Sequence, residues 1–174
     1  GHLFGMPLDI HWSFLALLAV AGVWMGGAAG VFTIIVAFGS VVLHELGHSL
    51  VARRLKVQVA GIELFFFGGA AKRVHEPRRA RDEVLIAGAG PAVSVVLALL
   101  GFAGHAASGA AFLQLFGLIN LTIALFNLVP ALPMDGGRIL RGALATKVGF
   151  TRATALAVKV SRVFAVGFAL VGLF

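Results

Sequence analysis

Two histidines and a glutamate stand together in the segment His44-Glu45-Leu46-Gly47-His48. On a helix, residues four apart share a face, so both imidazoles can reach one metal ion while Glu45 projects beside it. Neutral imidazole suits zinc, and a catalytic zinc takes three protein ligands plus a water molecule. The spacing therefore predicts that His44 and His48 bind Zn2+ and that Glu45 takes a proton from water as it attacks a carbonyl.

The third ligand has few candidates, because the chain carries only seven acidic residues. Asp135 follows Pro130 and Pro133, which end an apolar helix, and precedes two glycines that allow a tight turn. This position favours Asp135 as the ligand, and the alternative is a turn residue that caps the next helix. The other acids are Asp9 at the start of an apolar run, Glu63 in a predicted strand, and a set expected to be salt-bridged and solvated in a basic loop: Glu76, Asp82 and Glu83.

The composition of the chain is that of a membrane protein. Apolar residues make up 60% of its 174 residues and charged ones 12%, and the mean hydropathy is +1.02. A soluble domain carries about twice that charged fraction, and a disordered chain more still. The net charge of +7 comes from basic clusters between apolar stretches, which indicates a lipid bilayer as partner and no nucleic acid.

The apolar tracts predict an α-helical polytopic membrane protein with about five transmembrane spans in a single core over residues 1–174. No Lys, Arg, Asp or Glu occurs in residues 10–44 or 84–134, and glycines divide each tract in two. The β-branched and aromatic segment 57–67 predicts a short membrane-associated β-strand or hairpin between spans two and three. The predicted spans are residues 10–25, 31–52, 84–103, 110–129 and 153–174.

The basic residues predict the orientation of these spans. All 14 Lys and Arg follow span two, precede span three or follow span four, so these connections are expected on the cytoplasmic side. His44 and His48 precede Arg53 by nine and five residues, or roughly 14 and 7 Å of helix. We therefore expect a multi-pass protein of the cytoplasmic membrane, with its site inside the bilayer near the cytoplasmic face.

The sequence resembles the site-2 protease family of intramembrane zinc metalloproteases. The resemblance rests on His44-Glu45-Leu46-Gly47-His48 in a membrane helix and on Asn127-Leu128-Val129-Pro130-Ala131-Leu132-Pro133-Met134-Asp135-Gly136-Gly137-Arg138 some 80 residues later. It implies His44, His48 and Asp135 as zinc ligands and Glu45 as general base, acting on a peptide bond in or near a transmembrane segment of a membrane-protein substrate. This reaction is regulated intramembrane proteolysis.

The resemblance also suggests two further functional elements. Asn127 matches an asparagine thought to steady the tetrahedral intermediate, and the alternative is a polar residue that caps the end of span four. The run Phe67-Gly68-Gly69-Ala70 matches a strand and turn thought to pair with unwound substrate, although a hairpin that only packs the helices is as plausible. Ser94 stands where many members have Asn, so it receives no predicted role.

The start of the chain and its short last span are typical of the subgroup whose membrane core is followed by cystathionine-β-synthase-type domains. We therefore expect a C-terminal regulatory domain outside this sequence, or a homo-oligomer. The main alternative function is a metal-binding or metal-transporting membrane module without peptidase activity. A metal ion that crosses the bilayer needs several polar residues along its path, and spans one and three offer almost none. Proteases that cut prenylated chain ends typically complete the site with a late Glu, whereas the last one here is Glu83.

Overall fold

The computed structural model describes residues 2–3, 6–24, 26–65, 68–73, 77 and 79–173, and helices dominate them. Its elements, in chain order, are β1 (His2–Leu3), β2 (Met6–Ile10), α1 (Trp12–Trp24), α2 (Ala28–Arg54), β3 (Val59–Phe65), β4 (Gly68–Arg73), α3 (Ala80–Ser108), α4 (Ala111–Asn127), α5 (Asp135–Val148) and α6 (Phe150–Leu173).

Three of the described helices are long and apolar enough to cross a membrane: α2, α3 and the 150–170 part of α6. Two shorter apolar helices, α1 and α4, accompany them. The chain therefore has the helices of a multi-pass membrane protein. The structure differs from the predicted spans mainly at their ends. Ile10 lies in β2, so α1 begins only at Trp12.

Helix α3 lies at the centre of the fold and packs against α2, α4 and α5. Each contact is close because at least one of the two helices contributes a glycine. A Cβ at Gly47 of α2 would lie 2.9 Å from the carbonyl oxygen of Ala89, and one at Gly101 of α3 would lie 2.7 Å from the backbone nitrogen of Gly117. Small residues of this kind let backbones approach where lipid provides no hydrophobic drive between helices.

The strands form one sheet in the order β1-β2-β3-β4. Strand β2 runs parallel to β3, with Leu8 opposite Ile62, and β3 runs antiparallel to β4, with Glu63 opposite Ala70. The sequence pattern predicted a strand at β3, but it gave no signal for β1 and β2. Strand β4 is at one edge of the sheet, on the side that packs against α2.

Helix α5 is an element that the apolar pattern did not predict, because it is too short and too polar to read as a span. It begins at Asp135 and ends at Val148, after the proline-containing turn that follows α4. Gly142 packs against the first turn of α3, where a Cβ would lie 3.0 Å from the carbonyl oxygen of Ala80. The turn and α5 together carry the chain back to α2 and α3.

Candidate metal centre

Helix α2 places His44 and His48 on one face, and Asp135 approaches both of them from the start of α5. The carboxylate oxygen Oδ2 of Asp135 lies 3.1 Å from Nε2 of His44 and 3.0 Å from Nε2 of His48. The two Nε2 atoms are themselves 3.1 Å apart. All three residues are buried, with 2%, 4% and 6% of their surfaces exposed. Three potential ligand atoms therefore converge on one point inside the protein.

Helix α3 holds the opposite nitrogen of each imidazole. Nδ1–H of His48 donates a hydrogen bond to the carbonyl oxygen of Ile86 at 2.6 Å. Nδ1 of His44 lies 2.9 Å from the hydroxyl oxygen of Ser94, which is fully buried. A proton on each Nδ1 leaves the Nε2 lone pair free, and Nε2 is the atom that faces Asp135.

Sequence reasoning missed Ser94, although a signal was present. Ile86, Gly90 and Ser94 follow one another at intervals of four residues, so they lie along one face of α3. Glycine and a hydroxyl residue on the same face of an apolar helix indicate a face that packs closely against another helix.

Gly90 makes room for the two imidazoles. A Cβ at this position would lie 2.6 Å from Nε2 of His44 and closer still to Nε2 of His48. No side chain other than hydrogen fits there without moving a ring.

The turn before α5 places Asp135 in the first turn of the helix. Gly136 and Gly137 allow this turn, because a Cβ on either one would overlap the backbone of residues 128–132. The backbone N–H of Leu132 donates to the hydroxyl oxygen of Ser161, which ties the turn to α6 at 2.7 Å. The start of a helix favours negative charge, which suits an ionised Asp135.

The charge state of Asp135 follows from its surroundings. Burial alone would raise the pKa of this carboxyl, but a proton on Nε2 of His44 or His48 would be donated to it when no metal ion is bound, and these contacts outweigh burial and lower its pKa to about 2. The group is therefore a carboxylate at neutral pH, as a metal ligand must be.

The donor set fits zinc. Donors about 2.0 Å from one ion at tetrahedral angles are about 3.3 Å apart, and the three distances here are 3.0 to 3.1 Å. Two imidazoles and one carboxylate leave a fourth position for water, as in catalytic rather than structural zinc sites. The α3 partners supply the support for the two imidazoles that zinc sites typically show.

The other predicted site residues lie in different settings. Glu45 is half-buried on α2 beside His44. The amide of Asn127, also half-buried, donates to the carbonyl oxygen of Ile123 at 3.0 Å, within its own helix. Gly68, Gly69 and Ala70 begin β4, whereas Phe67 lies outside the described residues.

Where the structure describes their side chains, the remaining acidic candidates do not join the metal group, and Glu76 lies outside the described residues. Asp9 lies in β2 and Glu63 in β3. Glu83 was expected to be salt-bridged and solvated. It is salt-bridged, to Arg141, but it is only 1% exposed. The expectation of a solvated residue was wrong because α3 begins earlier than predicted and carries Glu83 into the contact with α5.

The sequence profile of peptidase family M50 matches residues 31–110 and 102–168, which include both motifs. The chain belongs to peptidase family M50. This confirms the resemblance to site-2 proteases.

Relatives within the M50 family agree with this assignment. A zinc metalloprotease of Methanocaldococcus jannaschii is 36% identical over 177 residues, covering 97% of this chain and 52% of the relative. A predicted zinc metalloprotease of Synechocystis is 39% identical over 160 residues, covering 81% of this chain and 42% of the relative. The chain thus spans about half the length of these two proteins.

The solved structure of the site-2 protease from Methanocaldococcus jannaschii has the same fold. Its TM-score to this chain is 0.76 at 33% sequence identity, over 99% of this chain and 83% of the other. The arrangement of helices around the metal group is therefore that of the M50 family.

Proposed function

We propose that this chain is the catalytic core of an intramembrane zinc metalloprotease. Its reaction is hydrolysis of a peptide bond in or near a transmembrane segment of a membrane-protein substrate. The observation that carries the proposal is the convergence of His44, His48 and Asp135 on one point, with Glu45 next to the first ligand on the same helix.

His44, His48 and Asp135 would hold the metal, and zinc in this setting supplies a Lewis acid that polarises a carbonyl and makes water more acidic. Glu45 accepts a proton from the attacking water and then gives it to the leaving nitrogen. Asn127 is proposed to donate its amide hydrogen to the oxyanion that develops on the carbonyl. Its present bond to Ile123 would be exchanged for that contact.

The start of β4, with the preceding Phe67, is proposed to hold the substrate in extended form. A peptide bond in a helix is shielded and hydrogen-bonded, so the substrate must unwind before attack. Strand β4 is at an edge of the sheet, and an edge strand can pair with an added strand through its main chain. Phe67, Gly68, Gly69 and Ala70 would then contact the substrate backbone.

The membrane setting is proposed from the charge pattern. Helices α1, α2, α3, α4 and α6 would serve as five spans, with the β3–β4 pair dipping into the membrane. Arg53 and Arg54 end α2 and are exposed, and the positive-inside rule places this end in the cytoplasm. The metal centre would then lie within the cytoplasmic membrane, near its cytoplasmic face.

Regulation is proposed to involve a cystathionine-β-synthase-type domain in the whole protein, or association of two or more copies. The two relatives each extend well beyond the matched region, which leaves room for such a domain. The resemblance to the subgroup with that arrangement is the main support.

The test is hydrolysis of a defined transmembrane substrate in detergent or liposomes by the wild type and by Glu45→Gln. Loss of the general base should lower the cleavage rate by about 10²–10⁴-fold, with bound zinc unchanged. Asp9→Asn removes an exposed carboxylate outside the site and should cleave at the wild-type rate. Normal cleavage by Glu45→Gln would contradict the assigned base. Zinc uptake into liposomes without any cleavage would favour the metal-transport alternative.

A further inference from the structure

We infer that Glu83 and Arg141 form a positioning pair that sets where Asp135 meets the two histidines. The inference rests on the proposed function, because it concerns the third ligand of the same metal centre. It assigns a role to two residues that take no part in the proposed chemistry.

The pair joins the first turn of α3 to the middle of α5. Oε1 of Glu83 accepts a hydrogen bond from Nε of Arg141 at 2.8 Å and a second, shorter one from Nη2. The carboxylate is 1% exposed. Its other oxygen, Oε2, has no hydrogen-bond partner among the described residues. Within the part of the chain that the structure describes, Arg141 therefore provides the hydrogen bonds to this buried carboxylate.

The pair is poorly explained as a source of stability. Taking the Glu83 carboxylate and much of the Arg141 side chain out of water offsets the free energy of their attraction, and apolar residues of similar size often serve stability equally well. Two donors of one planar guanidinium, Nε and Nη2, do, however, converge on a single oxygen of Glu83, and this restricts the direction from which Arg141 can approach. The pair therefore matters more for the position of α5 relative to α3 than for the free energy of unfolding.

One face of α3 carries the anchors of all three potential ligands. Glu83, Ile86, Gly90 and Ser94 are separated by three, four and four residues, so they lie along a single stripe. Ile86 binds the ring of His48 and Ser94 binds the ring of His44. Glu83 binds the helix that begins with Asp135. All three ligands are thus held in position by the same helix, α3.

Arg141 is well placed to fix α5 along its axis. Its neighbour Gly142 lies against α3, where a Cβ would come 2.8 Å from the side chain of Val84. Asp135 is six residues earlier, or about 9 Å along the helix. A small slide or rotation of α5 would therefore carry the carboxylate out of reach of both Nε2 atoms. An error of about 1 Å in such a site can cost a factor of 10² in rate.

The test neutralises Glu83 and Arg141 together, so that neither residue is left as an unpaired buried charge. Zinc affinity is measured by chelator competition for wild type and for Glu83→Gln with Arg141→Met, each with Asp135 intact and with Asp135→Ala. The matched control, Asp82→Asn with Lys147→Met, removes one acid and one base from the same two helices. A second variant, Arg141→Lys, keeps the charge but has one donor nitrogen in place of Nε and Nη2.

If the pair acts through Asp135, its removal should weaken zinc binding about tenfold when Asp135 is present. In the Asp135→Ala background the same removal should change affinity less than about twofold, because coupled residues are not additive. Arg141→Lys should fall between wild type and the neutral pair, and the control should match wild type.

Three results would contradict the inference. The first is unchanged zinc affinity in the neutral pair and in Arg141→Lys. The second is an equal loss in both Asp135 backgrounds, which would indicate general destabilisation. The third is a neutral pair that fails to fold while folded Arg141→Lys binds zinc as wild type does. A wild type that binds no zinc would instead contradict the proposed function, and the inference with it.

Discussion

Oδ2 of Asp135 lies 3.1 Å from Nε2 of His44, although 91 positions separate the two residues in the chain. The contact joins the start of α5 to the middle of α2, and α3 supports both partners. A metal ion at this point would bind only the assembled fold, because the unfolded chain does not bring these ligands together. Metal binding should therefore report directly on whether the helices are correctly placed.

Gly90→Ala should abolish tight zinc binding, because the new Cβ would occupy the space of the two imidazoles. Gly88→Ala, on the same helix, is the matched control, since a Cβ at Gly88 would have no neighbouring atom of another element within 4 Å. The pair is compared by bound zinc and by helical content. Equal zinc binding in the two variants would show that the rings are not packed against Gly90.

Ser94→Ala should lower zinc affinity by about 10- to 100-fold, the usual effect of losing a partner that orients a ligand. His44 would lose the hydrogen bond that holds its proton on Nδ1. Ser94→Asn should retain much of the affinity, because an amide oxygen can accept the same bond. Ser108→Ala removes a hydroxyl from the exposed end of α3 and serves as control. An affinity for Ser94→Ala equal to that of the control would remove Ser94 from the site.

The local parts of the site could be predicted from the sequence, and the long-range parts only in outline. His44, Glu45 and His48 follow from helical spacing, and the proline-flanked Asp135 was the favoured third acid. The contact between Asp135 and the two histidines could be established only from the fold, because helical spacing says nothing about a residue 91 positions away.

Other features lay beyond single-sequence reasoning for identifiable reasons. Ser94 acts through a partner on another helix, so its spacing from Ile86 and Gly90 indicates a packed face of α3 but does not identify His44 as the partner. Glu83 follows a run of charged residues, so the sequence predicted a solvated loop residue and gave no sign of its contact with Arg141, 58 positions away. Strands β1 and β2 are too short, and β2 too mixed in character, to stand out from the apolar run that follows.

Asn127→Ala should lower kcat by about 10²–10³-fold with zinc content unchanged, if its amide stabilises the oxyanion. The observed bond to Ile123 supports the competing view that Asn127 only caps α4. In that case kcat would stay at the wild-type value while the thermal transition falls slightly. Thr122→Ala, an exposed change on the same helix, controls for effects on α4 itself.

A cysteine at Gly69 or Ala70 should form a disulfide with a cysteine near the cleavage site of a substrate, if β4 pairs with unwound substrate. The experiment is clean because the chain has no cysteine of its own. The cross-link should vary with alternate substrate positions, as side chains alternate along a strand. Ser108→Cys, at the far end of α3, is the control. Equal cross-linking at all three positions would reject the pairing.

The most direct test of the central claim is the zinc content of purified protein in detergent, for the wild type and for Asp135→Ala. Asp82→Asn, a carboxylate outside the metal group, is measured beside them. We predict about one zinc per wild-type and control chain after exposure to a chelator, and at least a tenfold loss in Asp135→Ala. Equal zinc retention in all three proteins would show that Asp135 does not bind the same metal ion as His44 and His48. A wild type without zinc after reconstitution would contradict the metal centre as a whole.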